Sequence, residues 1–190
     1  MKKNNVELEI RVPISELEYH QIKEFCNQNS DFLKESHHSD IYYSSKHKNF
    51  LANGEITEAL SIRNRDNKVI LSYKHYNPAT AEKPAYNDEY ETIVDDINML
   101  QNIFDALDIE KIITIDKKRE TYIYQNQFEI ALDKIKDLGN FVEIEAIDIK
   151  GDMNELNNKL FLLADQIGID TSQRLNNGYM WLLLKKFGKI

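Results

Sequence analysis

Residues Val6–Arg11 read VELEIR, a strict alternation of apolar and charged side chains near the start of the chain. Valine, leucine and isoleucine favour a β-strand, and successive side chains of a strand point to opposite faces. Glu7, Glu9 and Arg11 are therefore predicted to share one face of a strand, while the apolar residues share the other.

The same alternation recurs along the chain, in residues 59–65, 69–74, 89–91, 117–119, 128–133 and 142–145. Some of these segments place bases on the charged face, and others place carboxylates there. The charged positions are Arg63, Arg65, Lys74, Lys117, Arg119, Glu89, Glu91, Glu129, Asp133, Glu143 and Glu145. The sequence therefore predicts several strands with one apolar face and one face of mixed charge.

Two architectures can produce strands of this kind. In the first, an open antiparallel sheet exposes its charged face to water and packs its apolar face against helices. In the second, the sheet closes into a barrel whose apolar outside is covered by helices and whose lumen carries the charges. Closure would also remove the exposed edges of the sheet. The alternation alone leaves both architectures open.

A charged lumen is unfavourable unless it binds a charged ligand, because crowded like charges repel and buried charges need partners. A polyphosphate with a divalent metal meets this requirement. Carboxylates hold Mg²⁺ or Mn²⁺, while arginine and lysine neutralise phosphate oxygens. The mixed charge of the strands is what such a ligand pair requires.

The order of these elements resembles the CYTH family, the triphosphate tunnel metalloenzymes, over nearly the entire chain. The opening Glu-x-Glu-x-Lys of the family is matched by residues 7–11, and its late Leu-Gly and Glu-x-Glu block by residues 138–145. Further matches lie, in order, at residues 40–43, 58–63, 71–74, 89–91, 117–119 and 132–133. Residues 49–50, 58–60, 88–92 and 138–145 are most similar to the class IV adenylate cyclase-like branch.

The resemblance implies an α+β fold in which a closed antiparallel eight-stranded β-barrel, the triphosphate tunnel, has a charged lumen and helices packed outside. It implies that Mg²⁺ or Mn²⁺ is held by Glu7, Glu9, Glu143 and Glu145. It assigns the substrate to Arg63, Arg65, Lys74, Lys117, Arg119, Glu89, Glu91 and Asp133, and catalysis to Glu9, Arg11 and Lys74.

Three functions follow from the resemblance. An adenylate cyclase converts ATP to cyclic AMP and pyrophosphate, whereas a thiamine-triphosphatase or tripolyphosphatase releases orthophosphate. A noncatalytic triphosphate-binding protein is favoured by two departures from the family pattern. Arg11 stands where the family has lysine, and Ser61 stands where many members have arginine.

Composition is consistent with one CYTH-like domain over residues 1–190, because 42% hydrophobic residues can form a substantial core. The net charge of −8 argues against a nucleic-acid partner. One cysteine excludes an intramolecular disulfide and predicts a core thiol, Cys26, in a reducing cytoplasm. The sequence predicts no membrane span or signal peptide. Members of the family are often dimers, so the resemblance allows for a homodimer.

Four helices are expected between and after the strands. A capping box at Ser15 predicts a helix to about Phe32, with Leu17, Ile22, Phe25 and Cys26 in the core. Asp95 or Asp96 predicts the cap of a second helix that carries Ile97, Leu100, Phe104 and Leu107, and Asp152 predicts the start of a third that ends at Gly168. Ser172 is predicted to cap the last helix, and residues 77–87 to form a mobile loop near a tunnel mouth.

Overall fold

A computed structural model describes residues 8–48, 50–52, 55–65, 68–77, 86–147 and 152–190. Its strands are β1 (Glu9–Ile14), β2 (Asp31–Ser45), β3 (Leu51–Ala52), β4 (Glu55–Ile56), β5 (Glu58–Arg65), β6 (Lys68–Asn77), β7 (Tyr86–Ile93), β8 (Ile109–Tyr124), β9 (Phe128–Ile135) and β10 (Gly139–Ala146). Its helices are α1 (Glu16–Asn29), α2 (Ile97–Ala106), α3 (Met153–Gln166) and α4 (Tyr179–Lys186), with a 3₁₀ turn at Thr171–Gln173.

Eight of the strands form one antiparallel sheet in the order β1-β10-β9-β8-β2-β5-β6-β7, and the short strands β3 and β4 pair separately. The α+β class and the eight-stranded antiparallel sheet are therefore confirmed. Among the described residues, no backbone hydrogen bonds join β1 to β7, so the ladder is not closed. The closed barrel stays a prediction.

The described chain divides into two compact units. The first contains residues 37–116 and 179–190, and the second contains residues 8–36 and 117–178. The long strands β2 and β8 have residues in both units. A single domain over the whole chain stays a prediction.

In the second unit, the sheet has the two faces that the alternation predicted. Its apolar face belongs to one buried cluster with residues of α1 and α3, and this cluster includes Ile10, Val12, Ile22, Cys26, Tyr122, Ile130, Leu132, Val142, Ile144, Leu160 and Leu163. Arg11 and Glu143 are partners across β1 and β10, and Arg119 and Asp133 are partners across β8 and β9. Since side chains alternate, these four charged residues lie on the face opposite the helices.

Helix α1 begins with the predicted capping box. The Ser15 hydroxyl accepts a hydrogen bond from the backbone N–H of Glu18, whose carboxylate accepts one from the Ser15 N–H. Ile22 and Cys26 are buried as predicted, and burial raises the pKa of the Cys26 thiol to about 12. The prediction was wrong for Leu17, which is 69% exposed because it lies on the turn facing away from the sheet.

The end of α1 also differs from the sequence prediction. The helix ends at Asn29, and β2 starts at Asp31, where the prediction extended the helix to about Phe32. Phe32 is exposed and lies in the strand, with its ring edge-on to Tyr122 at 5.4 Å between centroids.

In the first unit, α2 covers the apolar face of β5 and β6. Asp96 is its N-cap, and Phe104 packs edge-on against Tyr43 of β2, with 4.9 Å between ring centroids. Ile97 and Leu100, which were predicted to lie in this helix, pack against the same cluster. Leu107, which was also predicted to lie in this helix, is exposed and forms its C-cap, because the helix ends at Ala106.

The last two helices confirm one predicted cap and correct another. Asp152 caps α3, and Gly168, at a positive φ of +78°, follows its end. Ser172 is not the cap of α4. It lies in the 3₁₀ turn, where its hydroxyl donates to Asp170, and α4 begins seven residues later at Tyr179.

No helix among the described residues is long and apolar enough to span a bilayer, and four side chains of α4 (Tyr179, Met180, Leu183 and Leu184) are buried. The loop predicted over residues 77–87 lies largely outside the described residues. Strand β6 continues through Asn77, and β7 begins at Tyr86.

We expect Ser15→Ala to lower the free energy of unfolding by about 1 kcal/mol, because the backbone N–H of Glu18 loses its acceptor, the Ser15 hydroxyl. Leu17→Ala, two residues later on the exposed side of the helix, should change it by less than about 0.5 kcal/mol. Urea denaturation of both variants measures the difference. Equal losses would contradict the assigned cap.

Candidate functional site

A connected set of charged side chains lies on the second unit's sheet face that points away from α1 and α3. It joins Glu9, Arg11, Lys117, Arg119, Asp133 and Glu143, and we call it the charged network. All six were predicted as site residues from the sequence. Adjacent strands bring them together because β1, β10, β9 and β8 are consecutive in the sheet.

Asp133 accepts hydrogen bonds from two bases of β8. Arg119 donates from Nε and Nη2 to the two carboxylate oxygens, at 2.7 and 2.6 Å, and Lys117 Nζ lies 3.2 Å from Oδ2. The Asp133 side chain is 0% exposed. A two-pronged contact with arginine fixes the orientation of both groups. Asp133 therefore orients Lys117 and Arg119 on the sheet face.

Glu143 lies between two guanidinium groups. Arg11 Nε donates to one carboxylate oxygen, and Arg119 Nη2 donates to the other. Burial alone would raise the pKa of Glu143, but the positive charges of Arg119, Arg11 and Lys117 outweigh it and hold the pKa well below its usual range. Glu143 is therefore ionised at neutral pH.

For Lys117, the effect of burial on the pKa outweighs the effect of the nearby opposite charges. Burial, followed by the nearby charge of Arg119, lowers its pKa, although Asp133 and Glu143 act to raise it. A lysine in such surroundings binds an additional anion favourably, because a further negative charge would restore the stability of its charged form.

Arg11 also contacts Glu9, another member of the predicted metal set. Its Nη2 lies 3.2 and 3.4 Å from the carboxylate oxygens of Glu9. Glu9 is in turn the cross-strand partner of Glu145. The sequence prediction that Glu9, Glu143 and Glu145 lie on one face is thus met by the strand register, whereas Glu7 lies outside the described residues.

The predicted metal ligands fit a hard divalent cation by their chemistry, because Mg²⁺ and Mn²⁺ prefer carboxylate oxygens. The arrangement of those that the structure describes does not form a ready metal site. Among the residues that the structure describes, no three histidine, cysteine or acidic side chains are grouped as a metal site. Glu9 and Glu143 both contact Arg11 instead. The assignment of a metal to these residues stays a prediction.

The first unit carries a second group of predicted site residues. Arg63 Nη1 donates to Glu91 at 2.7 Å and to Glu89 at 3.3 Å, and Lys74 Nζ lies 3.2 Å from Glu89. Burial acts to raise the pKa of Glu89, but the charges of Lys74 and Arg63 lower it below its usual value. Two predicted bases and two predicted carboxylates are thus brought into contact.

Arg65 has a partner that the sequence prediction did not assign. Its guanidinium makes a two-pronged contact with Asp40 of β2, which is buried. Asp40 belongs to a motif that was recognised, but its role depends on the pairing of β2 with β5, where it faces Arg63. Ser61, the position at which a further arginine was expected, is buried opposite Ser72.

The exposure of these side chains bears on the choice between a solvated sheet and a charged interior. Arg11 and Arg119 are each 15% exposed, and Arg63 is 12% exposed. Charges on a freely solvated face would be far more accessible. Arg11, Arg63 and Arg119 are therefore paired and largely buried, whereas their partners Glu9, Glu89 and Glu91 are 35%, 36% and 43% exposed.

Comparisons with known proteins identify relatives across most of the chain. The CYTH domain family matches residues 5–179. A protein of Methanocaldococcus jannaschii that carries the name "Putative adenylate cyclase" is 28% identical over 140 residues, which are 74% of this chain and 76% of the relative.

Solved structures show the same fold. A protein of Pyrococcus horikoshii superimposes with a TM-score of 0.72 at 26% identity, over 95% of this chain and 99% of its own. A Hippeastrum protein superimposes with a TM-score of 0.64 at 18% identity, over 97% of this chain and 96% of its own. The latter is described as a "putative adenylyl cyclase" with a dominant triphosphatase activity.

We expect Asp133→Asn to lower the free energy of unfolding by about 3 kcal/mol, because Lys117 and Arg119 would remain buried without their carboxylate. Asp116→Asn is the matched control. That carboxylate pairs with His37 and is well exposed, so its loss should change stability by less than about 1 kcal/mol. Chemical denaturation without added metal measures both, and similar losses would contradict the role of Asp133.

The lowered pKa of Glu143 predicts how stability depends on pH. Its carboxylate has an ordinary pKa of 4.5 when unfolded, so the stabilisation from its charge is present above that pH and declines as the pH falls toward the lower folded value. We expect Glu143→Gln to be about 2 kcal/mol less stable near neutral pH, and the difference to shrink below about pH 4.5. Urea titrations in metal-free buffer test this. A difference that does not change with pH would contradict it.

Proposed function

Because the chain belongs to the CYTH domain family, we propose that it is a divalent-metal-dependent enzyme acting on triphosphates, with conversion of ATP to cyclic AMP and pyrophosphate as its first candidate reaction. The relative from Methanocaldococcus jannaschii carries a cyclase name and supports this choice of reaction.

The observation that carries the proposal is the charged network of the second unit. Its three bases and the carboxylates of Asp133 and Glu143 have little exposure to water, whereas Glu9 at the edge of the network is 35% exposed. A buried ion network is weak as a source of stability, because desolvation offsets the attraction, whereas such networks are common at functional sites. A phosphorylated ligand and a divalent cation would replace the internal partners of the bases and the carboxylates respectively.

The bases of the network would bind phosphate oxygens. Arg119 presents a planar fork suited to a phosphate group, Lys117 a compact charge, and Asp133 holds both in place. In the first unit, we assign phosphate binding to Arg63 and Lys74, with Glu89 and Glu91 as the groups that orient them, and keep Arg65 as a further candidate held by Asp40.

Glu7, Glu9, Glu143 and Glu145 would hold Mg²⁺ or Mn²⁺, which supplies charge neutralisation to the phosphate oxygens when bound. Phosphoryl transfer depends mainly on positioning and on neutralisation of charge, so these residues require no covalent nucleophile. Glu9, Arg11 and Lys74 are the residues to which we assign direct roles in catalysis.

A triphosphatase is the second candidate, and a property of the charged groups favours it. Arginine, lysine and carboxylates recognise phosphates and metal, and this recognition is independent of the nucleobase. In a cyclase the ribose 3′-hydroxyl attacks the α-phosphorus, whereas in a hydrolase water attacks the terminal phosphorus. The two reactions are separated by their products.

The test is product analysis by chromatography. Purified protein is incubated with ATP, thiamine triphosphate or tripolyphosphate, each with Mg²⁺ or Mn²⁺. We expect cyclic AMP and pyrophosphate from ATP, and Glu9→Gln should lower turnover about 100-fold or more, since one ligand to the charge-neutralising ion is lost.

Glu24→Gln on the exposed side of α1 is the matched control, and it should retain wild-type turnover. Orthophosphate without cyclic nucleotide would assign the protein to the triphosphatases. Turnover that survives Glu9→Gln would show that the assigned site is wrong. Absence of every product would remove the enzymatic proposal and favour a triphosphate-binding protein.

A further inference from the structure

Arg11 bridges two carboxylates that come from different strands. From β1, its Nη2 contacts both oxygens of Glu9, and its Nε donates to Glu143 of β10. Its side chain is largely buried, as is that of Glu143. A guanidinium group has donors along two edges, which allows this one side chain to contact two acidic groups at once.

The carboxylates that Arg11 contacts are the ones assigned above to the divalent ion. A cation that binds Glu9 and Glu143 must come close to oxygens already paired with a guanidinium group, and two positive charges at such distances repel each other. Arg11 and a divalent ion are therefore competitors for the same carboxylates.

Within the charged network, the positive charges of Arg11, Lys117 and Arg119 are matched by the negative charges of Glu9, Asp133 and Glu143. Glu145, the cross-strand partner of Glu9, adds a further negative charge on the same face. A cation that binds Glu9 and Glu143 would take these partners from Arg11, and a phosphate group that binds Arg11 would release both carboxylates. Binding of both ligands together leaves each of these groups with a partner, which favours joint binding.

We propose that Arg11 blocks metal binding in the ligand-free protein, and that Glu9 and Glu143 become available to a divalent cation when Arg11 turns to a phosphate group. This inference rests on the proposed function for the identity of the ligands. Metal and phosphate then bind cooperatively, and linkage requires each to raise the affinity of the other by the same factor.

The experiment measures Mn²⁺ binding without any triphosphate, by the electron paramagnetic resonance signal of free Mn²⁺ at neutral pH. Wild type is compared with Arg11→Met, which keeps the apolar stem and removes the competing charge. We expect the variant to bind Mn²⁺ at least tenfold more tightly, since the charge-assisted hydrogen bonds of Arg11 to Glu9 and Glu143 no longer have to be broken by the ion.

Lys159→Met is the matched control for net charge. Lys159 lies on α3 and pairs with Glu155, so its loss removes one positive charge away from the charged face. Its Mn²⁺ affinity should stay within about twofold of wild type, because solvent and salt screen exposed charges. An equal gain in both variants would assign the effect to net charge and overturn the proposal.

Arg11→Lys serves as a second variant in case circular dichroism shows that Arg11→Met does not fold. One ammonium group cannot reproduce the two-edged contact, so this variant should also bind Mn²⁺ more tightly than wild type, by a smaller factor. Unchanged or weaker Mn²⁺ binding in the folded Arg11 variants would overturn the proposal.

The outcome is separable from that of the product assay. Wild-type turnover with no gain in Mn²⁺ affinity in the Arg11 variants would overturn the block by Arg11 and leave the enzymatic function standing. A gain in affinity, in a protein that turns over no triphosphate, would support the competition at Glu9 and Glu143 and remove the catalytic assignment.

Discussion

The contact between Arg119 and Asp133 is the interaction on which the charged face of the second unit depends. Asp133 has no exposure to water, so its charge is tolerable only because two donors of Arg119 and the ammonium group of Lys117 satisfy it. Glu143 is held by Arg119 as well as by Arg11, and through this shared arginine the whole network becomes continuous. Removal of Asp133 would leave Lys117 and Arg119 buried with less compensation.

In the first unit, too, charged side chains on the sheet are paired with groups of opposite charge. Arg63 and Lys74 share the carboxylate of Glu89, and Asp40 pairs with Arg65. The ion pairs described above thus each form within one unit. The internal pairs keep the bases oriented without a ligand, and they are also the contacts that an incoming phosphate or metal ion must replace. Stability of the ligand-free protein and affinity for ligands are therefore in competition.

Much of the fold and of the site was predictable because a strand has a period of two. The alternation placed Arg11, Arg119 and Glu143 on one face before any contact was known. Predictions for helix positions were less accurate. The prediction of a core position for Leu17 is wrong, because this side chain is exposed, and Leu107, predicted to lie within α2, follows the last residue of that helix. Ser172 was taken as a cap because serine favours that position, while Asp170 supplies the cap of a separate turn.

The linear sequence determined the strand faces, the α1 capping box and the residue types of the site, because these depend on neighbours within a few positions. The tertiary structure decided which charges become partners. Asp40 with Arg65, and Arg11 with Glu143, are distant in sequence and meet only through the strand order and register of the sheet. Their pairing energies depend on burial, which arises when the strands assemble and water is excluded from their charged faces.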